Sequence, residues 1–212
     1  MTDPAGARNA DASLIDRAAA GDSAALAELF GRYRKRLRAM VRLRMDRRLQ
    51  GRVDPSDVLQ EAYLDVAQQL STYQAKPEMP FYLWLRFTTG QRLMRLHRQH
   101  LGAAIRDAGR EVSLHRGALP QASSVSLAAQ LLGKMTSPSK AVERAEIQLR
   151  LQAALNGMEE TDRKIIALRH FEELSNLEAA QVLGLEPPAA SKRYIRALKR
   201  LQEILKSIPG LL

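Results

Sequence analysis

Residues 174–205 constrain the chain more than any other stretch. They read LSNLEAAQVLGLEPPAASKRYIRALKRLQEIL. Ser175 can cap a helix, and Glu178 three residues later completes a capping box. Ala179, Ala180, Val182 and Leu183 carry an apolar face, and Gly184 is a natural stop. Glu186-Pro187-Pro188 makes a short break, with proline suited to a first helical turn. A second helix follows, in which Ala190, Tyr194, Ala197, Leu201 and Leu205 recur every three or four residues. Its other face holds Lys192, Arg193, Arg196, Lys199 and Arg200. Two helices joined by a tight glycine turn, the second amphipathic and basic, describe a helix-turn-helix whose second helix can enter a major groove. The plainer alternative is an αα-hairpin with a solvated basic face.

The charge balance favours the first reading. The 212-residue chain has a formal charge of +10, which suits a polyanionic partner, nucleic acid before a membrane surface. It has no cysteine, so it has neither a disulfide framework nor a thiolate metal site, as fits a reducing cytoplasm. No apolar run approaches the roughly 18–20 residues that a membrane span needs. The polar N-terminus MTDPAGARNADAS lacks the apolar core of a secretory signal. A soluble, cytoplasmic protein is expected.

Upstream, the pattern is helical throughout. Residues 1–12 read as disordered, and Asp11 to Asp22 as a short helix ended by Gly21. A long helix from Ser23 carries Leu26, Leu29, Phe30, Tyr33, Leu37, Met40, Val41 and Met45 on one side. Its other side is dense with Arg32, Arg34, Lys35, Arg36, Arg38, Arg42, Arg44, Arg47 and Arg48. Such one-sided charge repels itself unless an anion lies nearby. Asp54-Pro55-Ser56-Asp57 is a helix start, with an aspartate cap and proline at the first position. Leu59, Ala62, Tyr63, Val66 and Leu70 form its buried stripe. Asp57, Gln60, Glu61 and Asp65 are expected on the outer side, where the carboxylates of Asp57, Glu61 and Asp65 line one ridge. An acidic ridge in a basic half repels DNA and invites a basic protein surface.

From Phe81 a third helix combines Phe81, Tyr82, Trp84 and Phe87 with a polar side of Arg86, Thr88, Gln91, Arg92, Arg95, His97, Arg98 and Gln99. Rings to stack bases and cations to hold phosphates suit single-stranded nucleic acid; packing of Trp84 and Phe87 in a core is the simpler alternative. His97 and His100 share a helix face, but no cysteine or nearby carboxylate completes a metal site. They read as polar surface or phosphate neighbours.

Residues 102–138 are punctuated by glycine, proline and serine and read as a flexible linker, with a short amphipathic segment at Leu127–Leu132. Helix resumes near Ser139 and runs to Asn156 (Val142, Ala145, Ile147, Leu149, Leu151, Leu155), and another starts at Thr161-Asp162. The expected fold is all-α: two small helical domains, residues 10–101 and 139–208, joined by the linker 102–138.

The order of these parts resembles a known family. Asp54-Pro55-Ser56-Asp57-Val58-Leu59-Gln60-Glu61-Ala62-Tyr63 is similar to the signature of region two of the sigma-70 family of bacterial RNA polymerase sigma factors. Phe81 to Arg98, with Trp84-Leu85, resembles the adjoining segment. Leu174 through Leu201 resembles region four, and regions two and four on a short linker resemble the extracytoplasmic-function group. The linker sequence GALPQASS is similar to that of sigma factors of planctomycete type. Where relatives carry WLxxIARN, this chain has Trp84-Leu85-Arg86-Phe87-Thr88-Thr89-Gly90-Gln91. Its recognition helix opens on Pro187-Pro188-Ala189-Ala190-Ser191, so base preference does not transfer.

The resemblance implies core RNA polymerase (β′ and β subunits) and promoter DNA as partners, with an anti-sigma protein as a further candidate. It implies that Asp54, Asp57, Gln60 and Glu61 dock on a basic coiled-coil of β′. Trp84, Arg86, Thr88, Gln91, Arg92, Arg95 and Arg98 are then expected to bind the minus-ten element and hold the opened strand. Ala189, Ser191, Lys192, Arg193, Arg196, Lys199 and Arg200 are expected to read the minus-thirty-five element. No catalytic residue, metal or cofactor is expected, and no GxxxxGK[ST] phosphate loop is present. The competing reading is a helix-turn-helix regulator that binds DNA without core polymerase.

Overall fold

The computed structural model describes residues 4–101, 119–135 and 141–209, with side chains described for 11–101, 119–133 and 145–209. The protein is all-α, with no named strand among the described residues. It divides into two compact units, Met1–Arg42 with Arg48–Ile105, and Leu43–Arg47 with Arg106–Leu212.

In the first unit, helix α1 (Pro4–Ala19) begins where the sequence suggested disorder. Leu14 and Ala18 on its inner side are buried, and the helix packs against α3 (Pro55–Ala75). Helix α2 (Ser23–Arg44) starts at Asp22, whose Oδ1 accepts from the Ala25 amide at 3.0 Å. Leu26, Leu29, Phe30, Leu37, Met40 and Val41 are buried as their spacing predicts. Rings join α2 to its neighbours: Phe30 meets Tyr63 of α3 edge-on at 5.4 Å, and Tyr33 stacks on Tyr82 of α4 (Phe81–Leu101) at 5.2 Å. The α3 stripe of Val58, Leu59, Ala62, Val66 and Leu70 is buried, and α3 packs directly on α4.

In the second unit, a helix stands inside the span read as linker. Helix α5 (Ser124–Met135) buries Leu127, Ala128, Leu131 and Leu132 and packs against α6 (Ala141–Asn156). The short amphipathic segment expected at Leu127–Leu132 is the apolar face of this longer helix. The rest of the expected linker, 102–118 and 136–138, and the side chain of Val142 lie outside the described residues. On α6, Ile147, Leu151 and Leu155 are buried but Leu149 is exposed, contrary to its expected place on the apolar face.

The end of α6 is closed by Arg163, whose Nη1 donates to the carbonyls of Leu155, Asn156 and Met158. A cation there answers the orphan carbonyls of a helix C-terminus. Helix α7 (Glu160–Ile166) continues into a π-helical turn at Ala167–Phe171, where the Glu172 amide reaches back to Ala167. Glu173, at φ 57, then reverses the chain. Helices α8 (Asn176–Leu183) and α9 (Pro187–Ser207) complete the unit. Ala180, Ala190, Ala197 and Leu201 share a core with Leu127, Leu151, Ile165 and Phe171.

Candidate nucleic-acid interface

The helix-turn-helix is built from local signals that all agree. Ser175 Oγ accepts from the Glu178 amide at 3.2 Å, and Glu178 Oε2 accepts from the Ser175 amide at 2.7 Å, so the capping box is closed. Gly184 ends α8 at φ 63, ψ 38, a left-handed conformation that costs a side-chain-bearing residue about 1–2 kcal/mol. Pro187 opens α9. Asn176 then ties the two helices together: its Nδ2 donates to the Pro187 carbonyl at 2.7 Å, while its Oδ1 accepts from Arg169 at 2.8 Å. The Arg169 guanidinium also lies over the Tyr194 ring, 4.9 Å from its centroid. The angle between α8 and α9 is therefore set by side-chain bonds as well as by apolar packing.

Helix α9 turns Ala190, Ala197 and Leu201 inward. Of the residues expected to meet DNA, Ala189, Ser191, Lys192, Arg196, Lys199 and Arg200 are exposed. Arg193 is not free. Its Nη1 pairs with Glu159 at 2.6 Å and Asp162 at 3.0 Å, and its side chain is only 25% exposed. The hydrogen bond that Arg193 donates to Glu159, then the charges of Glu159 and Asp162, raise the Arg193 pKa against a smaller opposing effect of burial. This arginine pins α9 to the start of α7. Ile195 is the opposite case. It is 53% exposed, and at about 100° per residue it lies between Lys192 and Lys199 on the outward face. Its absence from the Ala190–Ala197–Leu201 line was readable from spacing alone.

The acidic ridge of α3 is shorter than expected. Asp54 and Asp57 form a capping box: Asp54 Oδ1 accepts from the Ser56 amide at 2.7 Å, and Asp57 Oδ2 from the Asp54 amide at 3.3 Å. The Ser56 bonds, with Arg38 and Arg42 as lesser contributors, hold the Asp54 carboxyl below its usual range. Asp57, Gln60 and Glu61 are exposed. Asp65 is not on the outer side: it is 6% exposed and faces α4. Its place on the line Val58–Ala62–Asp65 accounts for this, since that line faces inward. Leu64, 59% exposed and one turn beyond Gln60 and Glu61, takes the next place on the outer ridge.

Helix α4 differs most from its expected polar side. Arg86 and Thr88 are 5% and 1% exposed, and His97 is buried rather than at the surface. Trp84 stacks on Tyr73 of α3 at 4.6 Å and sits 5.7 Å from Phe81, so one face of the indole is covered and the ring is half-buried. Arg92 and Arg95 converge on Asp65, at 2.5 and 2.6 Å, and Arg92 also reaches Glu61 at 3.2 Å. The hydrogen bonds that Arg92 donates to Asp65 raise its pKa. Gln91 is partly exposed, and Arg95, Arg98 and His100 are exposed. No cluster of metal-ligating side chains occurs among the described residues.

Comparison with known proteins places these features. Residues 148–201, which span the C-terminal half of α6 through the first two-thirds of α9, match the family model described as Sigma-70, region 4. No curated protein sequence matches the chain. No helix among the described residues is long and apolar enough to cross a membrane. The fold is similar to that in the structure of CnrH in complex with the cytosolic domain of CnrY, with a TM-score of 0.53 and 23% identity over 93% of this chain and 98% of that chain. The chain thus has the fold of CnrH, and its helix-turn-helix lies in a segment that is similar in sequence to sigma-70 region 4.

Proposed function

We propose that the chain is a sigma factor of the sigma-70 family, of the extracytoplasmic-function type, which brings core RNA polymerase to promoters. The observation that carries this reading is the coincidence of a closed helix-turn-helix, with an exposed basic outer face, and a segment similar to sigma-70 region 4. In this reading α9 lies in the major groove of the minus-thirty-five element. Ser191, Lys192, Arg196 and Lys199 face the DNA, while Arg193 holds the helix in place. The α3 ridge of Asp57, Gln60, Glu61 and Leu64 meets the basic surface of β′, with Asp54 as its cap. Gln91, Arg95 and Arg98, with the open face of Trp84, lie towards the minus-ten strand; Arg86 and Thr88 support them from inside. Strand opening is then stabilised by capture of unstacked bases and needs no covalent step. CnrH is seen with the cytosolic domain of CnrY, and by that likeness we propose an anti-sigma protein as a further partner of this chain.

The test uses Gln60→Lys with Leu64→Lys, because both side chains are exposed and neither caps the helix nor pairs with α4. Asp57 and Glu61 serve less well, since Asp57 caps the helix and Glu61 pairs with Arg92. The unaltered chain is expected to co-purify with core RNA polymerase and to support promoter-dependent transcription. The double variant should keep its helicity and duplex affinity and lose both. A folded, unaltered chain that binds duplex DNA but not core polymerase would establish the regulator reading instead.

A further inference from the structure

Helix α2 carries a cationic surface that none of the roles above uses. Residues 31–44 hold seven arginines and lysines and no carboxylate. Some of these have partners inside the protein: Arg32 pairs with Asp11 and Glu28, and Arg36 lies 3.5 Å over the Tyr82 ring. Arg34, Arg38 and Arg42 are different. All three are exposed, and among the described residues none forms an ion pair within 4.0 Å. The carboxylate that feels them is Asp54, on which Arg38 and Arg42 act at longer range and only after the Ser56 hydrogen bonds.

We propose that Arg34, Arg38 and Arg42 form a track for the phosphate backbone of duplex DNA, separate from the helix-turn-helix. Spaced four residues apart, they fall on one ridge with a cation every ~6 Å, and the ridge covers ~12 Å of helix axis. One DNA strand presents a phosphate about every 3.4 Å along its axis, so the track spans three to four of them. Two observations select this partner. The exposed large apolar side chains of the described residues are Leu64, Leu149, Leu177 and Ile195, none of them on α2. A protein partner requires such an anchor at the centre of its interface, and the ridge has none. The aromatic side chains of α2 are also engaged, Phe30 being buried against Tyr63 and Tyr33 stacked on Tyr82, so the ridge offers no platform for unstacked bases. Cations without an apolar anchor or an open ring suit a sequence-neutral backbone contact.

The experiment titrates the full chain with a short mixed-sequence duplex oligonucleotide, and with one of its strands alone, over a series of salt concentrations. Arg34→Gln, Arg38→Gln and Arg42→Gln together should lower the slope of log affinity against log salt on duplex by about 2–3 units, at about 0.9 per phosphate contact. The same three positions changed to lysine should keep the slope. If the triple glutamine variant loses helicity, the single variants carry the test, each lowering the slope by about 0.9. An unchanged duplex slope in a folded variant overturns the proposal, as does a loss confined to the single strand. Loss of core polymerase binding with an unchanged duplex slope overturns it too, and makes the ridge a protein contact. These outcomes are independent of the Gln60 and Leu64 result, which bears on the sigma reading alone.

Discussion

Asp65 on α3 accepts two parallel hydrogen bonds from Arg92 on α4, from Nε at 2.9 Å and Nη2 at 2.5 Å. Paired in this way, a carboxylate and a guanidinium fix both distance and orientation. A second arginine, Arg95, donates to the same carboxylate at 2.6 Å. Residues from what the sequence suggested were two separate functional surfaces thus form the joint between their helices.

The joint should be asymmetric to mutation. Asp65→Ala leaves two arginines of α4 side by side without the carboxylate they share, whereas Arg92→Ala leaves Asp65 still paired with Arg95. Removing one partner of a fully buried pair costs about 3–5 kcal/mol. Arg92 and Arg95 keep access to water, so about 1–3 kcal/mol is expected for Asp65→Ala and less for Arg92→Ala. Urea denaturation monitored by the fluorescence of Trp84, which lies in the first unit, measures the difference. Equal losses would mean that Arg95 adds nothing.

Thr89 offers a gain in stability. It is fully buried in α4, and its Oγ1 has no hydrogen-bond partner among the described residues. Thr89→Val keeps the branched shape and removes a desolvated hydroxyl, so stability should rise by about 1 kcal/mol. The same denaturation series reads it, and a loss on substitution would reveal a partner for the hydroxyl.

Arg193 and Lys192 should separate into structural and DNA-facing roles. Arg193→Ala should cost about 1 kcal/mol or less of stability, as expected for a partly exposed ion-pair network, and leave the duplex salt slope nearly unchanged. Lys192→Ala should leave stability unchanged and lower the slope by about 0.9. Thermal melts paired with salt titrations of duplex binding test both. A reversed pattern would put Arg193 on the DNA.

Acid sensitivity should appear only at low pH. Asp54 is held below its ordinary value of 3.8, first by the Ser56 amide. Glu160 is held below its ordinary value of 4.5, first by its hydrogen bond from Lys164. A lowered carboxylate pKa means that the unfolded chain takes up its proton first as pH falls. The stabilisation is therefore present above those ordinary values and is lost as pH drops through the lower folded-state values. Helicity followed against pH should be flat from neutrality to about pH 5 and fall below that. Asp54→Asn should remove part of the dependence, and an unchanged acid limb would deny Asp54 its share.

Much of this was legible from the chain alone where local chemistry decides structure. The Ser175–Glu178 box, the Asp54 cap, the Gly184 stop and the Pro187 start each depend on a few neighbouring residues, and each stands as its spacing predicts. What was not legible depends on partners distant in sequence. Asp65 reads as surface until Arg92 and Arg95 are brought opposite it. Arg193 reads as one more cation of α9 until α7 delivers Glu159 and Asp162. Arg86 and Thr88 read as polar surface because composition does not reveal how much of α4 is enclosed. Helix α5 was hidden by the glycine, proline and serine around it, although its Leu127–Leu132 core was visible. Leu64 and Ile195 could have been found, since each falls off the apolar line of its own helix.

The tie from Asn176 to the Pro187 carbonyl has a consequence for how such a protein can change. The orientation of α9 is set by Asn176, Arg169, Tyr194, Arg193 and the alanines beneath it, all on the sides that face the rest of the unit. Among the described residues, Ser191, Lys192, Ile195, Arg196 and Lys199 on the outer side make no side-chain bond that holds it there. Scaffold and proposed reading surface are therefore separately encoded within one helix. A library randomised at Ser191, Lys192, Ile195, Arg196 and Lys199 should yield mostly folded proteins that differ in the DNA they select, a modular starting point for re-targeting.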